Sequence, residues 1–252
     1  MRFDGKVVVV TGAGTGIGEA TARYFVSAGA SVVLNGRDRE KLEKSASRYP
    51  ADRALIHPGD VSERAGAAAL VAKAIERFSR LDVLVNNAST IALGTLDTHS
   101  DSDWRQTFET NVDTVFHCCQ AASPHLQAGA AIVNISSVSG IGGDIGWLAY
   151  NAAKAAVSNL TRALAIELGP QSIRVNAVMP SLAWTPRTAM LRDNAAMAER
   201  QIARIPLGRI ANASEIAAAI AFLASEEASF ITGINMPVDG GLTASSGLAS
   251  FF

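Results

Sequence analysis

Val7-Val8-Val9-Val10-Thr11-Gly12-Ala13-Gly14-Thr15-Gly16-Ile17-Gly18 is the stretch that decides the fold class. Four consecutive β-branched residues read as a strand covered on both faces, and the glycines after them open into a helical pattern at 17–28. A strand–turn–helix junction of this kind presents backbone amides at the helix N-terminus to a phosphate. A Cβ in the turn would hold that phosphate away. The spacing is Gly12-x-x-x-Gly16-x-Gly18, with Ile17 standing where G-x-G-x-x-G would have its last glycine. In isolation a structural tight turn reads the same way, so the rest of the chain has to decide.

Working outward, short apolar runs at Lys6–Thr11, Ser31–Asn35, Ala54–Pro58, Leu81–Asn86, Ala131–Ser136, Ile173–Val178 and Ile234–Val238 read as strands. Helical spacing fills the intervals, at 17–28, 38–48, 62–78, 101–127, 149–168 and 213–224. That alternation predicts an α/β fold, a Rossmann-type doubly wound parallel sheet of seven strands. The 252 residues, 48% hydrophobic, fit a single dinucleotide-binding and catalytic domain spanning 1–252. Pro180, Pro186 and Pro206 punctuate a stretch too long for an ordinary connection, which predicts a substrate lid at about 181–206. The final Phe251-Phe252 reads as a subunit contact or a frayed end.

Composition narrows the function classes. A formal net charge of -1 argues against a nucleic-acid partner, and no apolar run reaches the roughly 18 residues of a membrane helix. The first residues lead straight into the valine run, so no secretory leader is expected. Cys118 and Cys119 are adjacent and unsuited to pairing with each other, which points to buried thiols in a reducing, cytoplasmic compartment. His57, His99, His117 and His125 form no ligand spacing with the cysteines, so no metal is expected.

From the Gly12/Gly16/Gly18 spacing onward the chain resembles the classical short-chain dehydrogenase/reductase family. Asp60-Val61 follows the third strand, and Asn86-Asn87-Ala88 ends the fourth, with Ser89 where the family has glycine. Asn111 lies in a Thr-Asn-Val context, and Ser137, Tyr150 and Lys154 complete the family's tetrad with it. The resemblance implies an NAD(P)-dependent oxidoreductase moving a hydride between nicotinamide and an alcohol or carbonyl, and a homotetramer. The tetrad makes a catalytically idle dinucleotide-binding sensor or assembly subunit the lesser alternative. Three residues separate Tyr150 from Lys154, the dehydrogenase pattern; bacterial enoyl reductases of similar fold have six.

Tyr150 and Lys154, four apart on an Ala-rich helix, share a face. A free phenol with a pKa of about 10 is almost wholly protonated at neutral pH, so a base at this position needs nearby positive charge. Lowering it by about two to three units takes roughly 3–4 kcal/mol, which the ammonium and a positive nicotinamide are expected to supply. Ser136 and Ser137 both end the fifth strand. The family's thirteen-residue spacing to Tyr selects Ser137 to hold the substrate oxygen, with Ser136 pointing away. The resemblance gives Asn111 a water linking Lys154 to solvent, and Lys154 a grip on the nicotinamide ribose.

The cofactor cradle implied by the resemblance comprises Gly12, Gly14, Thr15, Gly16, Ile17, Gly18, Asp60 at the adenine amine, Val61, Asn87, Ala88, Pro180 and Thr185, with Tyr150 and Lys154 beneath the nicotinamide. NAD-preferring relatives place Asp where Gly36 stands. Gly36 with Arg37 therefore favours NADP(H), the guanidinium meeting the 2′-phosphate. Against it stand Thr15, where a basic residue is common, and Asp38, which competes for Arg37. NAD(H) is the alternative. The family analogy lines the substrate pocket with Ser89, Thr90, Ser139, Ile141, Asp144, Ile145, Trp147, Leu182 and Trp184 around Ser137 and Tyr150. This apolar lining suits a hydrophobic or cyclic carbonyl, and no basic residue is expected near the tetrad to receive an acidic substrate. Ser181 replaces the glycine of the family's Pro-Gly motif, so Ser89 and Ser181 both threaten to crowd the nicotinamide. Trp104 reads as core or interface, and Arg174 as structural.

Overall fold

The computed structural model describes residues 2–245, and Phe251-Phe252 lie outside them. Seven strands form one sheet: β1 Val7–Val10, β2 Ser31–Gly36, β3 Ala54–Pro58, β4 Leu81–Asn86, β5 Leu126–Ile135, β6 Arg174–Pro180 and β7 Asn235–Val238. They lie in the order β3-β2-β1-β4-β5-β6-β7, and every pairing is parallel. The helices are α1 Gly16–Ser27, α2 Arg39–Ala46, α3 Arg64–Phe78, α4 Asp101–Phe108, α5 Thr114–Ala122, α6 Leu148–Leu168, α7 Ala195–Ile202 and α8 Ala213–Ala224.

The continuous apolar runs are explained by the two cores they serve. Val8 and Val10 join one cluster with Phe25, Leu34, Ile216 and Ile220, packed beneath α1 and α8. Val9 faces the opposite cluster with Leu70, Leu84, Cys118, Val157 and Val175, beneath α3, α5 and α6. Alternate side chains of one strand thus bury into different layers, so the run is apolar without alternation. All four valines of β1 are at most 3% exposed, and each such burial contributes about 1.5–3 kcal/mol.

The chain runs β1-β2-β3 to one side and then returns to place β4 on the other side of β1, which opens a crevice between the C-terminal ends of β1 and β4. Thr11 laces that crevice. Its amide donates to the Val85 carbonyl, and its hydroxyl accepts from the Asn87 and Ala88 amides at 2.9 and 3.0 Å.

Two departures from expectation have local causes. The helix expected over 101–127 is not continuous: Ser100 caps α4, a single π turn spans Glu109–Asp113, and a 3₁₀ turn containing Pro124 ends α5 before Leu126. The sheet register shifts between Leu81 and Val83, and β5 starts at Leu126, ahead of the expected Ala131. The segment after β6 is also more ordered than a plain loop. Ala183–Trp184 pairs with Ala211–Asn212, Pro186–Leu191 is a 3₁₀ helix, and α7 follows.

Candidate active site

Gly12, Gly14, Thr15, Gly16, Ile17 and Gly18 lie at the open end of β1, where α1 begins. Gly12 has φ +64°, a left-handed conformation that disfavours a side chain. A Cβ on Gly18 would collide with the Gly12 carbonyl oxygen and with Asn87 Nδ2, so these two glycines let the first turn of α1 settle onto β1 and β4. Asn87 completes the joint by donating to the Thr11 and Gly12 carbonyls at 2.9 and 3.1 Å. Thr15 occupies the N-cap without a side-chain capping bond, so the first-turn amides of α1 keep their donors turned outward. That is the donor set a dinucleotide pyrophosphate requires, and the residues present fit such a group. Thr185 stands beside the turn: a Cβ on Gly16 would meet its side chain at 3.1 Å. Pro180 is buried at the end of β6.

After β3, Val61 is buried, and Asp60 accepts from the Ser62 amide at 2.9 Å. Burial alone would raise the Asp60 carboxyl, but the Ser62 bonds and the charge of Arg37 outweigh it and hold the group below its ordinary value. The expected competitor for Arg37 is corrected here. Asp38 caps α2 through the Lys41 amide and pairs with Lys41 Nζ at 2.7 Å, while Arg37 Nη1 reaches Asp60 Oδ2 at 4.0 Å. Arg37 remains solvent-exposed at the end of β2.

Ser137, Tyr150 and Lys154 converge. Ser137 caps the 3₁₀ turn Val138–Gly140 after β5, its Oγ accepting from the Ser139 amide at 3.1 Å, and it acts on the Tyr150 hydroxyl to lower its pKa. Lys154 Nζ lies 5.5 Å from the Tyr150 ring centroid and donates to the Ile135 carbonyl at 2.8 Å. Ser136 points the other way, donating to the Lys154 carbonyl at 2.9 Å and meeting Ser158 Oγ at 2.6 Å. Trp147 packs edge-on against Tyr150 with centroids 5.5 Å apart. Asn111 lies in the π turn, fully buried, and donates to the Thr107 and Thr90 carbonyls at 2.8 and 2.9 Å. No hydrogen bond joins it directly to Lys154 among the described residues, and its Oδ1 has no protein partner.

The electrostatics differ from the expected ammonium–phenolate pair. Burial raises the Tyr150 phenol above its ordinary value, opposed by Arg187 and the Ser137 hydrogen bond and reinforced by Asp144. Burial also pulls Lys154 down to about 7, and the Arg187 charge adds to that effect. In the protein alone the phenol is therefore neutral and Lys154 carries only part of a charge near neutral pH.

Arg187, which the sequence did not single out, is close enough for its charge to act on Tyr150 and Lys154. It sits in the 3₁₀ helix Pro186–Leu191 and spans the cleft to the loop after β4, donating to Ser89 Oγ at 3.0 Å and to the Ser89 carbonyl at 2.8 Å. Ser89 is thus the acceptor for Arg187, and Ser181 Oγ donates to the Asp239 carbonyl at 3.2 Å. Among the residues assigned to the substrate pocket, Ser139 donates to Asp144 Oδ2 at 2.6 Å, and Ile141 and Ile145 are exposed. Trp184 lines a groove with Gly16, Glu19 and Thr185 on the α1 side, where Arg192 stacks on its ring at 5.0 Å. Thr11 and Arg187 are the site residues that the sequence did not single out.

Elsewhere, Arg174 closes the end of α8 through the Leu223 and Ser225 carbonyls at 2.6 and 2.9 Å. Cys118 and Cys119 are free, buried thiols on α5. Among the described residues no helix is long and apolar enough to cross a membrane, and no cluster of His, Cys, Asp or Glu is arranged for a metal.

Comparison with known proteins agrees with this geometry. Residues 12–243 match the family model described as enoyl-(acyl carrier protein) reductase. The chain is 46% identical to the meso-2,3-butanediol dehydrogenase of Serratia marcescens over 98% of both chains. It is 43% identical to the cis-4-hydroxycyclohexanecarboxylate dehydrogenase of Sinomonas cyclohexanicum, over 96% of this chain and 98% of that one. A crystal structure of a short-chain dehydrogenase/reductase (glucose/ribitol dehydrogenase) from Brucella melitensis superposes with a TM-score of 0.92 at 38% identity, covering 96% of this chain and 99% of that one. With its seven-stranded parallel sheet and a match running nearly end to end, the chain belongs to the short-chain dehydrogenase/reductase family and is an NAD(P)-dependent oxidoreductase of alcohol or carbonyl substrates.

Proposed function

We propose that the protein interconverts a secondary alcohol and its ketone, with NADP(H) preferred over NAD(H). The observation carrying the reaction type is the buried Tyr150, with Lys154 Nζ 5.5 Å from its ring centroid and Ser137 at the head of the turn after β5, together with the outward-facing amides of α1. A bound nicotinamide would supply hydride in its reduced form or accept it in its oxidised, positively charged form. The protein's own groups handle the oxygen and its proton. Ser137 Oγ holds the substrate oxygen, and Tyr150 Oη gives a proton to that oxygen in reduction or takes one in oxidation.

Burial holds the Tyr150 phenol protonated and Lys154 only partly charged, and positive charge beside the phenol would favour its phenolate where the substrate is held. Asn111 Oδ1, buried and lacking a protein partner, suits a water leading to Lys154 Nζ and a proton path to solvent. The relatives named for 2,3-butanediol and for 4-hydroxycyclohexanecarboxylate support a secondary alcohol as the reacting group.

The NADP(H) preference rests on Arg37, which is exposed at the end of β2 beside Gly36, where a side chain would meet only Leu42 at 3.5 Å. Its present partner, Asp60, is at the outer limit of an ion pair and between exposed groups, an interaction worth little. A 2′-phosphate, with more charge and a planar fork to receive it, is the stronger acceptor. Exposed apolar residues on α4, α5 and α6, namely Trp104, Phe116 and Ile166, are consistent with assembly of this chain into a homotetramer in the cytoplasm. Side-by-side titration with NADPH and NADH, followed by nicotinamide fluorescence, tests the cofactor assignment. Tighter NADPH binding is expected, and tighter NADH binding would overturn the role of Arg37. Light scattering tests the assembly.

A further inference from the structure

We infer that Arg187, latched to Ser89 across the mouth of the active site, is an anion anchor that makes the preferred substrate a hydroxy acid or oxo acid. This rests on the secondary-alcohol reading above and names the substrate class within it.

Position is the first observation. Arg187 belongs to the 3₁₀ helix after β6, yet both of its terminal nitrogens cross the cleft to one residue, Ser89. Two bonds from a planar fork fix the guanidinium in place at the rim. Arginine has five N–H donors, and this latch consumes two. The remaining donors have no protein acceptor among the described residues, and no carboxylate lies within ion-pair distance of Arg187 there.

The second part is charge. The guanidinium is close enough to act on both Tyr150 and Lys154. The groups facing this space from the packed elements are Lys154 and Tyr150 on α6, Ser137 after β5, Asp144 in the loop before α6, and Arg187 itself. Asp144 is the anion among them, and it is turned toward Ser139, whose hydroxyl it accepts at 2.6 Å. The Arg187 charge opposes protonation of Lys154, after burial, and an anion paired with the guanidinium would offset that opposition. A substrate carboxylate is such an anion: it pairs with the remaining fork of Arg187 while the hydroxyl or carbonyl of the same molecule lies against Ser137 and Tyr150. An exposed position on the lid matches this role, since the anchor closes over the ligand from outside.

A dinucleotide pyrophosphate is a second anion for the same guanidinium, because Thr185 of the segment carrying Arg187 adjoins Gly16. The experiment separates the two anions. Oxo acids of increasing chain length are compared with their neutral amides (3-oxobutyrate against 3-oxobutanamide, and the homologous pairs) in the wild type, Arg187→Met and Arg187→Lys. NADPH affinity is measured on the same proteins by nicotinamide fluorescence. In parallel, benzoate and benzamide are titrated into the NADPH-saturated protein through the fluorescence of Trp147, which packs on Tyr150.

The expected result has three parts. The acid of at least one pair is preferred by ten-fold or more in kcat/KM. Arg187→Met removes that preference, read as the acid-to-amide ratio of kcat/KM within each protein and lost mostly through KM, Arg187→Lys keeps it, and NADPH affinity stays within about three-fold. Benzoate binds more tightly than benzamide, and only in proteins with a cation at 187. Equal losses for acid and amide would make Arg187 a lid fastener and overturn the inference. A ten-fold weaker NADPH with the acid preference intact would assign it to the pyrophosphate and overturn it as well. Turnover of amides alone overturns the acid preference but leaves the alcohol/ketone reading standing. No turnover of either series with either dinucleotide counts against that reading, and the benzoate titration then decides the anchor by itself.

Discussion

Lys154→Met isolates a stability cost that the active site imposes on the fold. Lys154 is 2% exposed, and burial, followed by the Arg187 charge, holds it at about 7, against about 10.4 in an unfolded chain. The folded value is depressed for a base, so the unfolded state binds the proton more readily everywhere between those two values. Stability therefore rises with pH through that window. Below pH 7 both states carry the proton and the cost is at its maximum; above pH 10 neither does and it vanishes.

Between pH 7.5 and 9.0 the difference in bound protons is close to one, and 1.5 pH units at about 1.36 kcal/mol each give about 2 kcal/mol. Methionine matches the aliphatic stem of lysine and does not titrate. The unfolding midpoint of the wild type, measured without dinucleotide by circular dichroism, should therefore gain on the variant by about 4–8 °C over that range. Cys118 and Cys119, whose thiols burial pushes up (Cys119 to about 12), also respond to pH, but both proteins carry them and the effect cancels in the difference. Two curves that stay parallel, or a variant that gains on the wild type as pH rises, would refute the reasoning. Either outcome would mean that Lys154 stays charged when folded, held by the Ile135 carbonyl and the Tyr150 ring.

Tyr150→Phe removes the proton-transfer hydroxyl while keeping the ring that packs on Trp147; turnover should fall more than 100-fold with dinucleotide affinity within about three-fold, checked by steady-state rates beside nicotinamide fluorescence. Arg37→Ala should weaken NADPH at least ten-fold and NADH by no more than about three-fold, and equal losses would show that Arg37 does not read the 2′-phosphate. Gly18→Ala forces a Cβ onto the Gly12 carbonyl and Asn87; it should cost about 1–3 kcal/mol of stability and most of the affinity for both dinucleotides, measured by denaturant unfolding and titration.

Much of the fold was legible because burial on both faces leaves a plain mark. Ala54–Pro58 and Leu81–Asn86 fall where their apolar runs predict, as does α8 over 213–224. What escaped were features set by neighbours. The start of β5, Leu126-Gln127-Ala128-Gly129, contains no β-branched residue and is mostly exposed, and only pairing with Leu81 across a shifted register makes it a strand. The π turn at Glu109–Asp113 adds one residue to a helical turn without changing composition, so periodicity reads straight through it. Yet that turn is what puts Asn111 against α6, where α6 carries Tyr150 and Lys154.

The site residues divide along the same line. Ser137, Tyr150 and Lys154 are legible because a turn and one helical face fix their spacing. Arg187 is not, because its meaning comes from Ser89, 98 residues earlier. The chain announces Ser89 only as a departure from a glycine, a Cβ that ought to crowd the cleft. In the fold that hydroxyl accepts from the lid, and the serine carbonyl accepts a second bond. The substitution and the arginine thus make sense only together. A glycine at 89 would keep the carbonyl acceptor and lose the hydroxyl, leaving the guanidinium one bond and more freedom to swing. If the latch is what aims the guanidinium, Ser89→Gly should erode discrimination between a charged substrate and its neutral isostere, while the tetrad goes on turning over the neutral one.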